Sequence, residues 1–138
     1  MIRKQNFNVP YEIILCGDVD MFHETRDLKL INMKKEAHSR KVAALRNAAA
    51  NKAKYDIVFC DDDIILSPTW LEDTVKYSQK NGWDVLGNKV LLPDGGRYWD
   101  RATLNPHQLV SYDTNENNDK LYQSSAFFLV RKETFEKV

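Results

Sequence analysis

Neither sign of charge is in excess in this sequence: twenty Lys and Arg stand against twenty Asp and Glu over 138 residues, for a formal net charge of zero. A general nucleic-acid binder normally carries a basic surplus, so the balance argues against that class. No apolar run approaches the roughly 18 residues that a membrane span needs, and no signal peptide opens the chain; the expectation is no transmembrane segment. Cysteine is scarce, with only Cys16 and Cys60. Each ends an apolar run, where free buried thiols are common, and a reducing, cytoplasmic compartment is the simplest expectation. Nothing repeats, and no segment reads as an interdomain linker. What is present is 43% hydrophobic and 29% charged residues, the balance of a soluble globular chain rather than a disordered one. The length suits a single domain over residues 1–138 that buries roughly two-thirds of its unfolded surface.

Along the chain, short apolar runs alternate with helical patterns. Tyr11 to Cys16 is closed by Gly17-Asp18 and reads as a buried strand ending in a turn. Leu28 to Met33 alternates and reads as a second strand. Ser39 can cap a helix running to about Ala53, with Val42, Leu45 and Ala49 on its inner face. Tyr55 to Cys60 is continuous enough for a strand buried on both faces. Ser67-Pro68 opens a helix whose first turn carries Glu72 and Asp73, whose inner stripe is Leu71, Val75 and Ser78, and which Asn81-Gly82 ends. Asp84 to Leu92 is a further strand, and Pro93-Asp94-Gly95-Gly96 is a tight turn returning the chain through Tyr98 to Asp100. Tyr112 to Lys120 has almost nothing to bury and reads as a surface loop. Ser125 to Val130 closes as a strand, with a helix starting at Lys132. This alternation predicts an α/β layered fold around a largely parallel sheet, in which ligands sit outside the carboxyl ends of the strands.

At one such end stands Asp61-Asp62-Asp63, pressed between Ile57–Cys60 and Ile64–Leu66. Adjacent carboxylates repel, and apolar flanks make each harder to ionise. If Asp61 and Asp63 face a cleft while Asp62 points away, one hard divalent cation with water and phosphate oxygens relieves the repulsion. The preceding segment suits an anionic ligand: Lys34, Lys35, Arg40, Lys41, Arg46, Lys52 and Lys54 against a single acid, Glu36. The plain alternative is a solvated turn. A calcium-binding EF-hand loop is rejected, because Leu66 replaces its required glycine and Ile65 a polar ligand. Asp61-x-Asp63 after a hydrophobic strand also resembles haloacid-dehalogenase-type phosphatases, with Asp61 as nucleophile; their second acidic pair is not evident, which leaves that reading as the runner-up.

A wider series resembles the core of family 2 glycosyltransferases: Arg46-Asn47-Ala48-Ala49, then Ala53 through the apolar strand into Asp61-Asp62-Asp63, then Pro68-x-Trp70-Leu71-Glu72. Upstream, Tyr11 to Leu15 looks like that family's second strand. Downstream, Ser124 to Val130 with Arg131-Lys132-x-x-Phe135 is similar to its late strand and the opening of the next helix. The resemblance implies a three-layer Rossmann-like GT-A fold with a mostly parallel sheet, incomplete here, and transfer of a sugar with inversion from a nucleotide-diphosphate donor, a UDP-sugar first among them. By it, Asp61 and Asp63 hold Mn²⁺ or Mg²⁺; Asp18, Arg46, Asp61 and Asp62 contact the nucleotide sugar, with Asp20 as a second choice for the base-contacting acid.

Trp70 and Trp99 offer flat faces that suit a pyranose, with core packing as the alternative. Tyr122 and Gln123 lie toward the acceptor side. His23, His38 and His107 show no ligand spacing and receive no role.

Two departures shape the expectation. The family's first strand and its catalytic base have no equivalents here, so the chain reads as truncated at both ends and the catalytic residue is unassigned. Ile2 to Asn6 looks like the tail of the helix before Tyr11. The absent strand would lie between Tyr11–Cys16 and Tyr55–Cys60. A homodimer with shared or abutting sheets is therefore expected; if the gap closes instead, Cys16 and Cys60 become neighbours. The alternative to an enzyme is a non-catalytic remnant serving as a binding or assembly module.

Overall fold

The computed structural model describes residues 4–5, 10–104, 106–111 and 121–138. The expected loop at Tyr112 to Lys120, and most of the expected helix tail at Ile2 to Asn6, lie outside the described residues. In chain order the elements are β1 (Ile13–Gly17), β2 (Leu28–Asn32), α1 (Lys34–His38), α2 (Val42–Lys52), β3 (Ile57–Cys60), α3 (Trp70–Lys80), β4 (Val85–Gly87), β5 (Arg101–Leu104), β6 (His107–Leu109), β7 (Leu121–Gln123), β8 (Phe127–Val130) and α4 (Lys132–Phe135).

Local chemistry explains most boundaries. The Ile-Ile-Leu run of β1 favours the pleat, and Gly17 ends it at φ 147°, a conformation open to glycine. The helix expected from Ser39 to Ala53 starts later, as α2 at Val42, because Arg40 takes a left-handed conformation at φ 53° and separates it from α1, a short helix before Ser39 that was not expected. Ser39 consequently ends α1 rather than starting α2, and Lys41 precedes α2 without a side-chain cap. The inner face of α2 carries half-buried Leu45 and Ala49 and buried Ala50, whereas Val42 is exposed.

Helix α3 begins two residues after the Ser67-Pro68 signal, and Ser67 is not its cap. The side-chain amide of Gln5 does that work: its Oε1 accepts from Leu71 N at 3.2 Å and its Nε2 donates to the Ser67 carbonyl at 2.7 Å. One orphan N–H of the first turn is thereby satisfied. Glu72 and Asp73 occupy the first turn and Asn81 closes the helix, as the sequence indicates. The turn at 93–96 also forms, with Leu92 N donating to Gly96 O at 2.7 Å and Tyr98 N to Val90 O at 3.0 Å.

The strands assemble as three short sheets among the described residues: β1-β2, β3-β8-β4 and β6-β5-β7. Only β1–β2 is parallel. The expected largely parallel sheet is thus corrected: among the described residues four of the five strand pairings are antiparallel. Strands β3 and β4 run the same way, joined across α3, but β8 sits between them and antiparallel to both. It enters from the opposite end, out of β7, and so must run back. Strand β3 is also not buried on both faces: Ile57 is buried and Phe59 half-buried, but Val58 is 41% exposed.

The core gathers where α2 and α4 meet this sheet. Ala50, Ile57 and Val130 are buried there, with Ala53, Phe59 and Phe135 packed around them. Phe127 and Leu129 of β8 are 4% exposed, burial that contributes about 1.5–3 kcal/mol per side chain. The gap between β1 and β3 does not close. Among the described residues β1 pairs only with β2 and β3 only with β8. Cys16 and Cys60 are both free thiols. Glu12 nonetheless ties the start of β1 to the lead-in of β3, its Oε1 accepting from Lys54 N at 2.7 Å. That side-chain link bridges the gap without closing it, and α2 packs against β1 as well.

Candidate functional site

The tip of β3 is held from two sides. Asp61 N donates to the Ala126 carbonyl at 2.9 Å, and the Asp61 carboxylate accepts from Arg46 Nη2 at 2.7 Å. Arg46 reaches across from α2 with its guanidinium carbon 6.0 Å from the Phe59 ring centroid. Asp62 and Asp63 form an exposed turn that Ile64 N closes by donating to Asp61 O at 3.3 Å. Their side chains make no hydrogen bond or ion pair among the described residues. Apolar burial therefore does not crowd the three carboxylates as the sequence suggested. Water screens two of them and a guanidinium neutralises the third.

Cys60 records the field of this cluster. Its thiol donates to the Asp61 carbonyl at 3.3 Å and is pushed up to about 11, by desolvation first and then by the charges of Asp61, Asp63 and Asp62.

Asp18 and Asp20 follow β1, at the same end of the neighbouring sheet. Asp18 Oδ2 lies 3.1 Å from His38 Nε2 and 3.4 Å from Lys34 Nζ; Asp20 accepts from Lys34 at 2.6 Å and from Asn32 Nδ2 at 2.7 Å. The Asp20–Lys34 hydrogen bond is the first cause holding Asp20 below, and Lys34 above, its ordinary value. Two cations of the basic segment are thus already committed, Lys34 to Asp18 and Asp20, and Arg46 to Asp61. The contact of His38 with Asp18 was not visible in the sequence, where its spacing suggested nothing.

No three His, Cys, Asp or Glu side chains converge on a metal-binding geometry among the described residues. Asp61 and Asp63 are hard oxygen donors of the type that a divalent cation takes together with water and phosphate oxygens, and one of them, Asp61, is held by Arg46. An open apolar groove of about 610 Å³ lies on the face of β3-β8-β4 between α2 and α4, lined by Phe59, Phe128, Val130 and Phe135 among others. It shares Arg46 with the acid tip but contains none of the aspartates.

On the other side of the tip stands the β6-β5-β7 sheet, which sequence reasoning did not find. Asp100 is fully buried at its root: Oδ2 accepts from Val90 N at 2.8 Å, Oδ1 from Arg97 Nε at 2.9 Å, and its carbonyl from Ser124 N at 2.9 Å. Trp70 is packed, its Nε1 donating to Asn88 Oδ1 at 2.9 Å and its ring 5.0 Å from Phe127. Trp99 is 42% exposed and stacks on His107. Gln123 lays its amide over Gly87, close enough that a side chain at 87 would displace it.

A helix arginine bonded to the acidic tip of one strand, with Asp18 and Asp20 following a strand of a second sheet, is the arrangement that this α/β chain presents. The family model described as "Glycosyl transferase family 2" matches residues 11–138, and the chain belongs to that family. No curated protein and no solved structure matches the chain. Membership identifies a glycosyltransferase-like α/β domain. No helix among the described residues is long and apolar enough to cross a membrane.

Proposed function

We propose that residues 1–138 form one domain that binds a nucleotide-diphosphate sugar, UDP-linked, at the tip of β3 and transfers the sugar with inversion. The observation that carries this reading is the Arg46–Asp61 pair, which joins two separate pieces of the family's ordered motif series in one place. Asp61 and Asp63 hold Mn²⁺ or Mg²⁺, which when bound neutralises charge on the diphosphate leaving group. Asp62 lies beside them on the nucleotide-sugar side. Arg46 can turn its planar fork from Asp61 to a phosphate, where it binds bidentately. Asp18, already orienting toward His38 and Lys34, contacts the base.

A second copy of the chain covers the edges that β1 and β3 leave open among the described residues, giving a homodimer. A cytoplasmic location agrees with the two free cysteines.

Calorimetric titration of UDP with and without Mn²⁺ tests the donor site. Micromolar binding that needs the metal and weakens at least ten-fold in Asp63→Ala is expected. Binding indifferent to both metal and mutation overturns the reading. Metal-dependent UDP binding with no release of sugar from any UDP-sugar favours a non-catalytic binding module instead.

A further inference from the structure

The rings of Trp99, His107 and Tyr122 are stacked in series at the edge of the small sheet. Trp99 and His107 have centroids 4.1 Å apart at 19°, and His107 and Tyr122 are 6.0 Å apart at 27°. His107 Nε2 and Tyr122 Oη share a hydrogen bond of 2.8 Å. The register explains how His107 and Tyr122 meet, while Trp99, just before β5, joins them from outside the strand pairing. Leu104 pairs with His107, and Ala102 pairs with Tyr122, so His107 and Tyr122 share one face of β5. Ala102, fully buried between them, contributes only a methyl group and leaves room for the rings.

This stack is not core packing. His107 is exposed and Trp99 is 42% exposed, whereas the other candidate platform, Trp70, is closed by Asn88 and Phe127. His107 backs one face of the indole, and its hydrogen bond to Tyr122 fixes its own plane. An aromatic surface held flat in advance loses little side-chain entropy when a ligand lands on it. The negative face of an aromatic ring attracts the polarised C–H face of a pyranose while the hydroxyls stay at the rim.

Connectivity places the surface within reach of the acid tip. Trp99 adjoins Asp100, whose carbonyl accepts from Ser124 N; two residues on, Ala126 accepts from Asp61 N. Those steps span no more than roughly 20 Å from Trp99 to Asp61, the reach of a short oligosaccharide.

The geometry points to an acceptor subsite here: Trp99, set by His107 and Tyr122, takes a sugar ring of a glycan acceptor whose reacting end lies toward Asp61–Asp63. The assignment rests on the proposed glycosyl transfer and deepens it by naming a carbohydrate as the acceptor class.

Calorimetric titration with cellotriose, maltotriose, chitotriose and UMP tests it. A saturable change with at least one trisaccharide is expected. The dissociation constant should rise at least ten-fold in Trp99→Ala, several-fold in His107→Ala, and little in Trp99→Phe, which keeps a flat ring and guards against misfolding of the alanine variant. Three results overturn it: no trisaccharide response, equal binding by Trp99→Ala, or a Trp99-dependent response to UMP alone, which would make the stack a nucleobase site. UDP titration of the same Trp99→Ala protein separates this assignment from the donor site. Loss of UDP binding in the parent chain with the saccharide response intact removes the donor reading and leaves the platform standing.

Discussion

Arg46 and Asp61 are 15 positions apart and meet at 2.7 Å, end of helix arm to tip of strand. The guanidinium is 22% exposed and the carboxylate 44%, so the pair is partly screened and contributes about 0.5–1 kcal/mol to stability. Its larger consequence is local: it removes one of three adjacent negative charges and fixes the direction of Asp61.

Replacing Arg46 by Ala leaves Asp61 beside Asp62 and Asp63 with no cation opposite. Stability should fall by no more than about 1 kcal/mol in urea, while UDP affinity in Mn²⁺ falls at least ten-fold. Arg46→Lys should recover the stability but only part of the affinity, since an ammonium cannot bond a phosphate bidentately. Full affinity in Arg46→Ala would separate this arginine from the ligand.

Asp100 joins three segments through one buried carboxylate and its backbone, and its partner Arg97 is 22% exposed. Asp100→Ala takes the carboxylate from that guanidinium and leaves the Val90 amide without its acceptor, at a cost of about 3 kcal/mol. Asp100→Asn keeps the shape and one acceptor and should cost less. Urea midpoints measure both, and hydrogen exchange at Val90 and Ser124 should accelerate first. A midpoint shift under 1 kcal/mol for Asp100→Ala would show that the small sheet is held by its strand pairing alone.

That small sheet also shows where the sequence stops being legible. Helix α3 and the turn at 93–96 were readable because Asn81-Gly82 and Pro93-Asp94-Gly95-Gly96 encode them locally. Strands β5, β6 and β7 run only three or four residues, and β6 is exposed throughout, so no alternation announces them. The direction of β8 was hidden for another reason: its apolar run fits a parallel or an antiparallel neighbour equally, and only the route taken from β7 decides. Of the site, Asp18, Arg46 and Asp61 were each picked out singly, but that Arg46 would spend its charge on Asp61 is a matter of helix placement. His107 carries no spacing signal at all: the β5–β6 pairing sets it opposite Leu104, and Trp99, which precedes β5, meets it from outside that pairing.

Glu12 offers a test by pH. Burial raises its carboxyl, but hydrogen bonds from Lys29 and the Lys54 amide and their charges outweigh this and leave it below its ordinary value of 4.5. A group whose pKa is lower folded than unfolded stabilises the fold above the unfolded value and ceases to do so as pH falls through the folded one. The side chain is 12% exposed, and Glu12→Gln should cost about 1–3 kcal/mol at pH 7. The difference between parent and variant, followed by urea midpoints from pH 7 to pH 3, should be constant down to about 4.5 and shrink below it. A difference that grew in acid would reverse the assigned sign.

Cys60 reports on the acid tip without any ligand. With its thiol at about 11, alkylation by iodoacetamide in a Cys16→Ser background should be slow at pH 8, where about one thiol in a thousand is ionised by that value. Neutralising a neighbouring carboxylate weakens the field that opposes the thiolate, so both Asp63→Asn and Asp62→Asn should speed the reaction. Asp63 has the larger influence of the two, and its variant should be the faster. Desolvation outranks every charge, so even the Asp62→Asn/Asp63→Asn double variant should keep its midpoint above the ordinary thiol value of 9.0. A midpoint at or below 9.0 in the double variant would mean that charge, not shielding from water, governs this end of β3.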